Sequence, residues 1–150
     1  MNIGQVLEEF GRDYGFGRIA LNAANMARLE FDGGLSVDLE YSEQNGLYLN
    51  GPVATFGDKP NPALLQALLE ANAPAHSREG FVFSIGPADR TILLSHRIEP
   101  ARLTSAELAR VLDRFLGTME TWRDNVRKSF PPDAPTPANA PAPGAWHMRA

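Results

Sequence analysis

The spacing of apolar residues changes along the chain and divides it into helices and strands. Near the N-terminus, apolar residues recur every three or four positions, which is the spacing of one helical face. They are Ile3, Val6, Leu7, Phe10 and Tyr14. This stripe predicts a helix from Ile3 to Tyr14, with Asn2 as its N-cap and Gln5 in the second position of a capping box.

Further along, the apolar period falls to two, which is typical of half-buried strands. Alternating runs cover residues 28–31 and 35–41, and Gly33-Gly34 predicts the turn between them. Asn45-Gly46 predicts a hairpin with a type I′ turn, which requires positive φ at both central positions. A third strand is expected over residues 47–55.

A helix and two more strands are expected in the second half of the chain. Asn61 followed by Pro62 is a helix start signal, and the helical pattern then continues to residue 73. Apolar runs at 81–85 and 91–98 predict two strands joined by a short turn.

A long last helix is expected over residues 105–127, introduced by a capping box of Thr104 and Glu107. The predicted order is helix, three strands, helix, two strands, helix. Because short turns join successive strands, we expect a twisted, mostly antiparallel sheet packed with helices, which is an α+β fold.

Composition changes abruptly at residue 130. Six of the twelve prolines fall in the last 21 residues, and proline lacks a backbone donor and fixes φ. We therefore predict one α+β domain over residues 1–129 and a flexible Pro/Ala-rich tail over 130–150. Trp146 is an unusual residue for such a tail, and the sequence assigns it no role.

Charge and composition exclude several classes of function. The net charge is −4, which disfavours binding to nucleic-acid phosphates. The absence of cysteine excludes disulfides, thiol catalysis and cysteine-based zinc sites. Three scattered histidines predict no metal site, and no motif predicts a cofactor. Without a long apolar run or a signal peptide, we expect no membrane partner and a cytoplasmic location.

Catalytic motifs are also lacking. The sequence of residues 15–20 matches the Gly-x-Gly-x-x-Gly/Ala pattern of dinucleotide-binding proteins. That pattern requires a strand before it, whereas a helix is predicted there. Asp38 and Glu40 point to the same side of a predicted strand and resemble a catalytic carboxylate pair. We interpret them as a solvated sheet face, and we expect the protein not to be an enzyme.

Three segments of the sequence stand out together: residues 61–72, which end in Leu-Glu-Ala-Asn, residues 7–12 of the first predicted helix, and residues 26–32 with 35–40 of the first predicted hairpin. In their order and spacing, these segments resemble the class I type III secretion chaperones, the CesT-like family of small acidic dimers. They are similar to the middle helix, the first helix and the first hairpin of that family. The resemblance covers roughly residues 1–128 and includes Trp122-Arg123 of the long last helix.

The resemblance implies a homodimer paired through the middle helix, here Leu64, Leu65, Leu68 and Leu69. The alternative is that all four leucines are internal core. It also implies a client, the disordered N-terminal segment of a secreted effector, held against the first helix and first sheet. The implied contacts are Ile3, Val6, Leu7, Phe10, Leu29 and Phe31. The alternative is that this stripe is ordinary core, with about half of it facing inward. Contact between the tail and the secretion ATPase is left open.

Two other functions stay open from the sequence. One is a small α+β ligand-binding or regulatory domain unrelated to secretion, and the other is an enzyme whose site the sequence does not reveal. A stable dimer that co-purifies with a larger, partly unfolded protein would favour the chaperone. A deep polar pocket with paired carboxylates would favour the enzyme.

Overall fold

The structure is a computed structural model that describes residues 2–77, 79–86 and 88–131. The expected α+β fold and its element order are confirmed. Residues 132–150 of the predicted tail lie outside the described residues. The elements are α1 (Ile3–Asp13), β1 (Met26–Phe31), β2 (Leu35–Ser42), β3 (Gly46–Thr55), α2 (Pro62–Ala71), β4 (Val82–Ile85), β5 (Thr91–Ile98) and α3 (Ser105–Ser129).

The five strands form one sheet in the order β1-β2-β3-β5-β4, and every neighbouring pair is antiparallel. β3 lies at the centre and pairs with β2 on one side and β5 on the other. Its register with β5 shifts between Pro52 and Ala54, which marks a bulge. β1 and β4 are the two edge strands, so one side of each lacks a neighbouring strand.

Side-chain caps start the three α-helices of the described residues where the sequence predicts them. Asn2 accepts from the Gly4 amide of α1 and completes a capping box with Gln5. Asn61 caps α2, and Thr104 caps α3 by accepting from the amide of Glu107. Each cap satisfies an amide that has no partner inside its own helix.

The hairpin between β2 and β3 forms, but its predicted type I′ turn is wrong. Only Gly46 has positive φ, at 83°, whereas Asn45 is not among the positive-φ residues. The turn is a three-residue loop over 43–45 between the paired residues Ser42 and Gly46. The Asn45 amide donates to Ser42 Oγ at 3.0 Å. The left-handed residue of this turn is Gly46, the first residue of β3, and a glycine adopts that conformation without the steric cost of a Cβ.

The helix-covered face of the sheet carries the core. Fully buried side chains on this face include Val37, Leu39, Leu47, Leu49 and Leu94. α3 crosses the sheet above β3 at Gly51. A Cβ on Gly51 would lie 2.5 Å from Met119 Sδ and 3.0 Å from Phe115 Cε1, so no side chain fits at this crossing.

The opposite face of the sheet is polar, but it is not uniformly solvated as we expected. Asp38 is only 4% exposed, because Arg28 on the neighbouring strand lies over it. Glu40 is exposed, as predicted. In the same cross-strand row, Ser95 donates to Asn50 Oδ1 at 2.8 Å. The interpretation of Asp38 as a solvated carboxylate is therefore wrong, because the chain pairs it across the sheet.

Replacing Gly51 with alanine should lower the free energy of unfolding by about 1–3 kcal/mol, because α3 must move away from β3. The matched control is Gly117→Ala on α3, where a Cβ meets nothing within 4 Å. That variant should gain about 0.5–1 kcal/mol from helix propensity. Urea unfolding measures both, and equal effects of the two changes would contradict the close crossing.

Candidate interaction site at the edges of the sheet

The two edge strands are the parts of this fold with backbone groups facing away from the sheet. Such groups are a template for pairing with another extended chain unless something covers them. In an antiparallel sheet, the backbone groups of successive residues face alternately toward and away from the neighbouring strand. The partners of the outward-facing residues therefore decide which edge is open.

The outer edge of β4 is occupied by side chains of its own chain. The Phe83 amide donates to Asn72 Oδ1 at 2.7 Å, and Asn72 Nδ2 donates to the Phe83 carbonyl at 2.9 Å. Ser77 Oγ donates to the carbonyl of Phe81 at 2.7 Å, just before the strand begins. These bonds close most of the β4 edge.

The outer edge of β1 is closed only at its first residue. Asn22 bonds to both backbone groups of Met26, with its amide donating to the Met26 carbonyl at 2.8 Å. Its Oδ1 accepts from the Met26 amide at 3.0 Å. A backbone bond from the amide of Tyr41 to the carbonyl of Asn25 begins the ladder with β2.

The alternation that starts at Asn25 sets which residues of β1 face outward. The bonded pairs with β2 fall at the odd-numbered residues, so Arg28 and Glu30 direct their backbone groups away from β2. Within the described residues, no hydrogen-bond partner covers these groups. β1 therefore presents two successive open positions.

An aromatic cluster of Phe10, Tyr14, Phe16 and Phe31 borders this open edge. The ring centroids of Phe10 lie 5.0 Å from Tyr14 and 5.4 Å from Phe16, and Phe16 meets Phe31 edge-on at 5.3 Å. Phe10 is buried, Phe16 and Phe31 are half-buried, and Tyr14 is 49% exposed. The cluster thus leads from the core to a partly exposed apolar surface beside β1.

Polar contacts hold β1 in place from both sides. On the polar face, Arg28 makes a two-pronged ion pair with Asp38, at 2.8 Å and 3.1 Å. The hydrogen bond to Asp38 raises the pKa of the Arg28 guanidinium, so this side chain stays charged. At the end of β1, Arg123 of α3 donates to the carbonyls of Gly33 and Gly34 at 2.9 Å and 3.2 Å.

The residues expected to contact a client are divided by the structure. Phe31 is half-buried beside the open edge. The other five lie in the hydrophobic core with exposures of 9% or less; they are Ile3, Val6, Leu7, Phe10 and Leu29. Their apolar stripe faces the chain's own core, which is the alternative that the sequence left open. Direct client contact by these five stays an untested prediction and has little exposed surface behind it.

The four leucines expected at a dimer interface are also divided. Leu64 and Leu68 are buried in the core, whereas Leu65 is half-buried and Leu69 is 72% exposed. Among the described residues, the other exposed large aliphatic side chains are on β4, the strand against which α2 packs. They are Val82 at 48% and Ile85 at 40% exposure.

Sequence reasoning missed Asn22, Phe16 and Asn72. Asn72 bonds to a strand residue eleven positions away, and such a contact carries no local pattern because the tertiary fold chooses the partner. Asn22 bonds to Ala24 and Met26, so a local asparagine turn before β1 is the signal that could have found it. Asn72 did stand in the phrase that carried the family resemblance, but that phrase did not reveal its partner. Phe16 lies outside any helical or alternating run.

The described part of the chain contains no candidate metal site and no candidate membrane-spanning helix. No group of three or more metal-ligating side chains comes together there. Among the described helices, none combines the length and apolar character needed to cross a bilayer.

The model of the Tir chaperone protein (CesT) family matches residues 5–123. The chain therefore belongs to this family, and the resemblance inferred from its sequence phrases is confirmed. No individually curated protein matches the chain significantly.

Solved structures share the fold at low sequence identity. A chain of the ExsC–ExsE complex has a TM-score of 0.73 and 24% identity, covering 89% of this chain and 96% of that one. A chain of the HopA1–SchA chaperone–effector complex has a TM-score of 0.69 and 19% identity, covering 81% and 93%. A chain of the Yersinia pestis complex of the type III secretion chaperone SycH with a YscM2 fragment has a TM-score of 0.66 and 19% identity, covering 81% and 99%.

Proposed function

We propose that this chain is a cytoplasmic chaperone that binds the disordered N-terminal segment of a type III secretion effector before export. Membership of the Tir chaperone family supports this function. So does the likeness to a chain of a complex described as chaperone and effector. The observation that carries the proposal is the open edge of β1 beside the aromatic cluster.

The client segment adds a strand to β1. Its main chain bonds to the outward groups of Arg28 and Glu30, and every second side chain faces the aromatic cluster at Phe16 and Phe31. The remaining side chains lie over the polar face, next to the Arg28–Asp38 pair. Main-chain pairing supplies affinity with little dependence on sequence, whereas the aromatic cluster selects for apolar client residues.

This binding mode keeps the client unfolded. A segment held extended on β1 cannot use the same residues to collapse into its own core. Ordering the segment opposes binding, so a single edge gives modest affinity unless further surface is covered. No chemical step is required of the chaperone, in agreement with its membership of a chaperone family.

Homodimerisation through α2 and β4 completes the proposal. The exposed side chains of Leu69 and Ile85, with half-buried Leu65, provide an apolar surface at this end of the sheet, and exposed Val82 lies on the opposite face of β4. Leu64 and Leu68 support the interface from the core instead of lying in it. Burying one such exposed side chain contributes about 1.5–3 kcal/mol, and twofold symmetry counts each side chain twice.

Replacing Glu30 with proline should weaken client binding by about 10-fold or more, because the outward amide of β1 is lost. The ladder with β2 does not use this amide, so the fold should be retained. The probe is the N-terminal segment of the effector that co-purifies with the chain on co-expression, and fluorescence anisotropy measures its affinity.

Glu30→Gln is the matched control, since it changes the side chain and keeps the backbone N–H of residue 30. The affinity of this variant for the client segment should stay near that of the parent chain. Unchanged affinity in Glu30→Pro, with the fold intact by circular dichroism, would remove β1 from the client site.

Replacing Leu69 with glutamate should raise the dimer dissociation constant at least about 100-fold, since two desolvated carboxylates replace two buried leucines. Because Leu69 is 72% exposed in the single chain, its fold should not change. Light scattering after size exclusion reports the mass. Tyr14→Glu changes an exposed apolar residue away from α2 and should stay dimeric; a dimeric Leu69→Glu would reject this interface.

A further inference from the structure

We propose that Asn72 acts as a strand-mimicking cap that closes the edge of β4, so that an extended client can pair only with β1. The inference deepens the proposed function and rests on it for the identity of the pairing chain. The closure of β4 itself rests only on contacts within the described residues.

The carboxamide of Asn72 reproduces what a neighbouring strand would offer. A residue in a bonded antiparallel pair donates one hydrogen bond to its partner residue and accepts one from it. Asn72 does both with Phe83 alone, through Nδ2 to the carbonyl at 2.9 Å and Oδ1 from the amide at 2.7 Å. A carboxylate lacks the donor, and a hydroxyl would have to donate and accept through a single oxygen atom, whereas the carboxamide offers separate donor and acceptor atoms.

Packing on both sides holds the two residues together. Asn72 is the C-cap of α2, and its backbone N–H donates to the carbonyl of Leu68. The side chain of Leu68 is in the core. Phe83 is buried, and its ring lies against Trp122 of α3 with 4.6 Å between centroids. The contact therefore costs little further ordering when it forms.

The two edge strands differ in how many outward-facing backbone groups remain without a partner after the asparagine of each edge has bonded. On β1, Asn22 covers Met26, after which Arg28 and Glu30 follow with open backbone groups. On β4, Asn72 sits in the middle of a four-residue strand, and only Ile85 follows it on the outward side. One outward residue is too short a template for a strand. The position of the cap, rather than its chemistry, thus selects the pairing edge.

Loss of this cap would expose a hazardous edge. β4 carries exposed Val82 and Ile85, and the outward groups of Phe83 would become available beside them. Apolar edge strands with free backbone groups pair with other chains and aggregate. Closing β4 also prevents a client from pairing where the dimer interface is proposed.

Replacing Asn72 with alanine tests the cap in the full chain without a client. Hydrogen exchange of the Phe83 amide, followed by NMR, should accelerate about 10-fold or more, because its acceptor is gone. Light scattering should show assemblies larger than the parent species as concentration rises. The matched control is Asn61→Ala, which removes the cap at the other end of α2. It loosens the same helix but should leave both readouts at the parent values.

Asn72→Asp is a second, isosteric variant that covers the case in which alanine unfolds the chain. Its carboxylate keeps an acceptor for the Phe83 amide and loses the donor for the carbonyl, so slow exchange should persist while larger assemblies form. Parent-like behaviour of both Asn72 variants, or the same changes in Asn61→Ala, would overturn the proposal. If the Asn72 variants behave as expected but Glu30→Pro leaves client affinity unchanged, the cap stands and the proposed client site fails.

Discussion

The two edges of the sheet differ in how completely their outward backbone groups are hydrogen-bonded. This difference decides where another extended chain can pair with the protein. An open five-stranded sheet has two rows of outward amides and carbonyls, and each row invites another chain. Here Asn72 and Ser77 cover the row on β4, whereas Asn22 covers only the start of the row on β1. The sheet is therefore open to strand pairing on one side, next to exposed aromatic surface.

α3 supports both edges at neighbouring positions of its sequence. Trp122 packs on Phe83 of β4, and Arg123 bonds to the turn that follows β1. The same helix crosses the centre of the sheet at Gly51, where the absence of a side chain lets it approach closely. The edges are thus held relative to a common rigid element, which keeps the open positions of β1 aligned for a partner.

Local patterns were sufficient to predict the fold. Helical stripes, period-two runs and caps such as Asn2, Asn61 and Thr104 act within a few residues, so the sequence displays them directly. The Asn45-Gly46 hairpin shows the limit of this reasoning, because loop length, and not the dipeptide alone, selected the turn. Asp38 shows another limit, since its partner comes from a neighbouring strand.

The division of apolar residues between core and surface was beyond the sequence. The stripe of α1 is equally consistent with a groove or a core, and the tertiary packing makes it core. Leu68 and Leu69 are adjacent in the sequence, yet Leu68 is buried and Leu69 is exposed. The bonds of Asn72 to Phe83 depend on how the chain folds back, and no spacing rule encodes them, whereas Asn22 reaches Met26 within four residues.

Amide hydrogen exchange of the chaperone with and without its co-purified client segment tests the central claim most directly. Pairing at the open edge predicts that the amides of Arg28 and Glu30 become strongly protected in the complex, while the Phe83 amide, already bonded to Asn72, changes little. New protection confined to β4, or a complex in which the β1 amides exchange as fast as in the free protein, would contradict it.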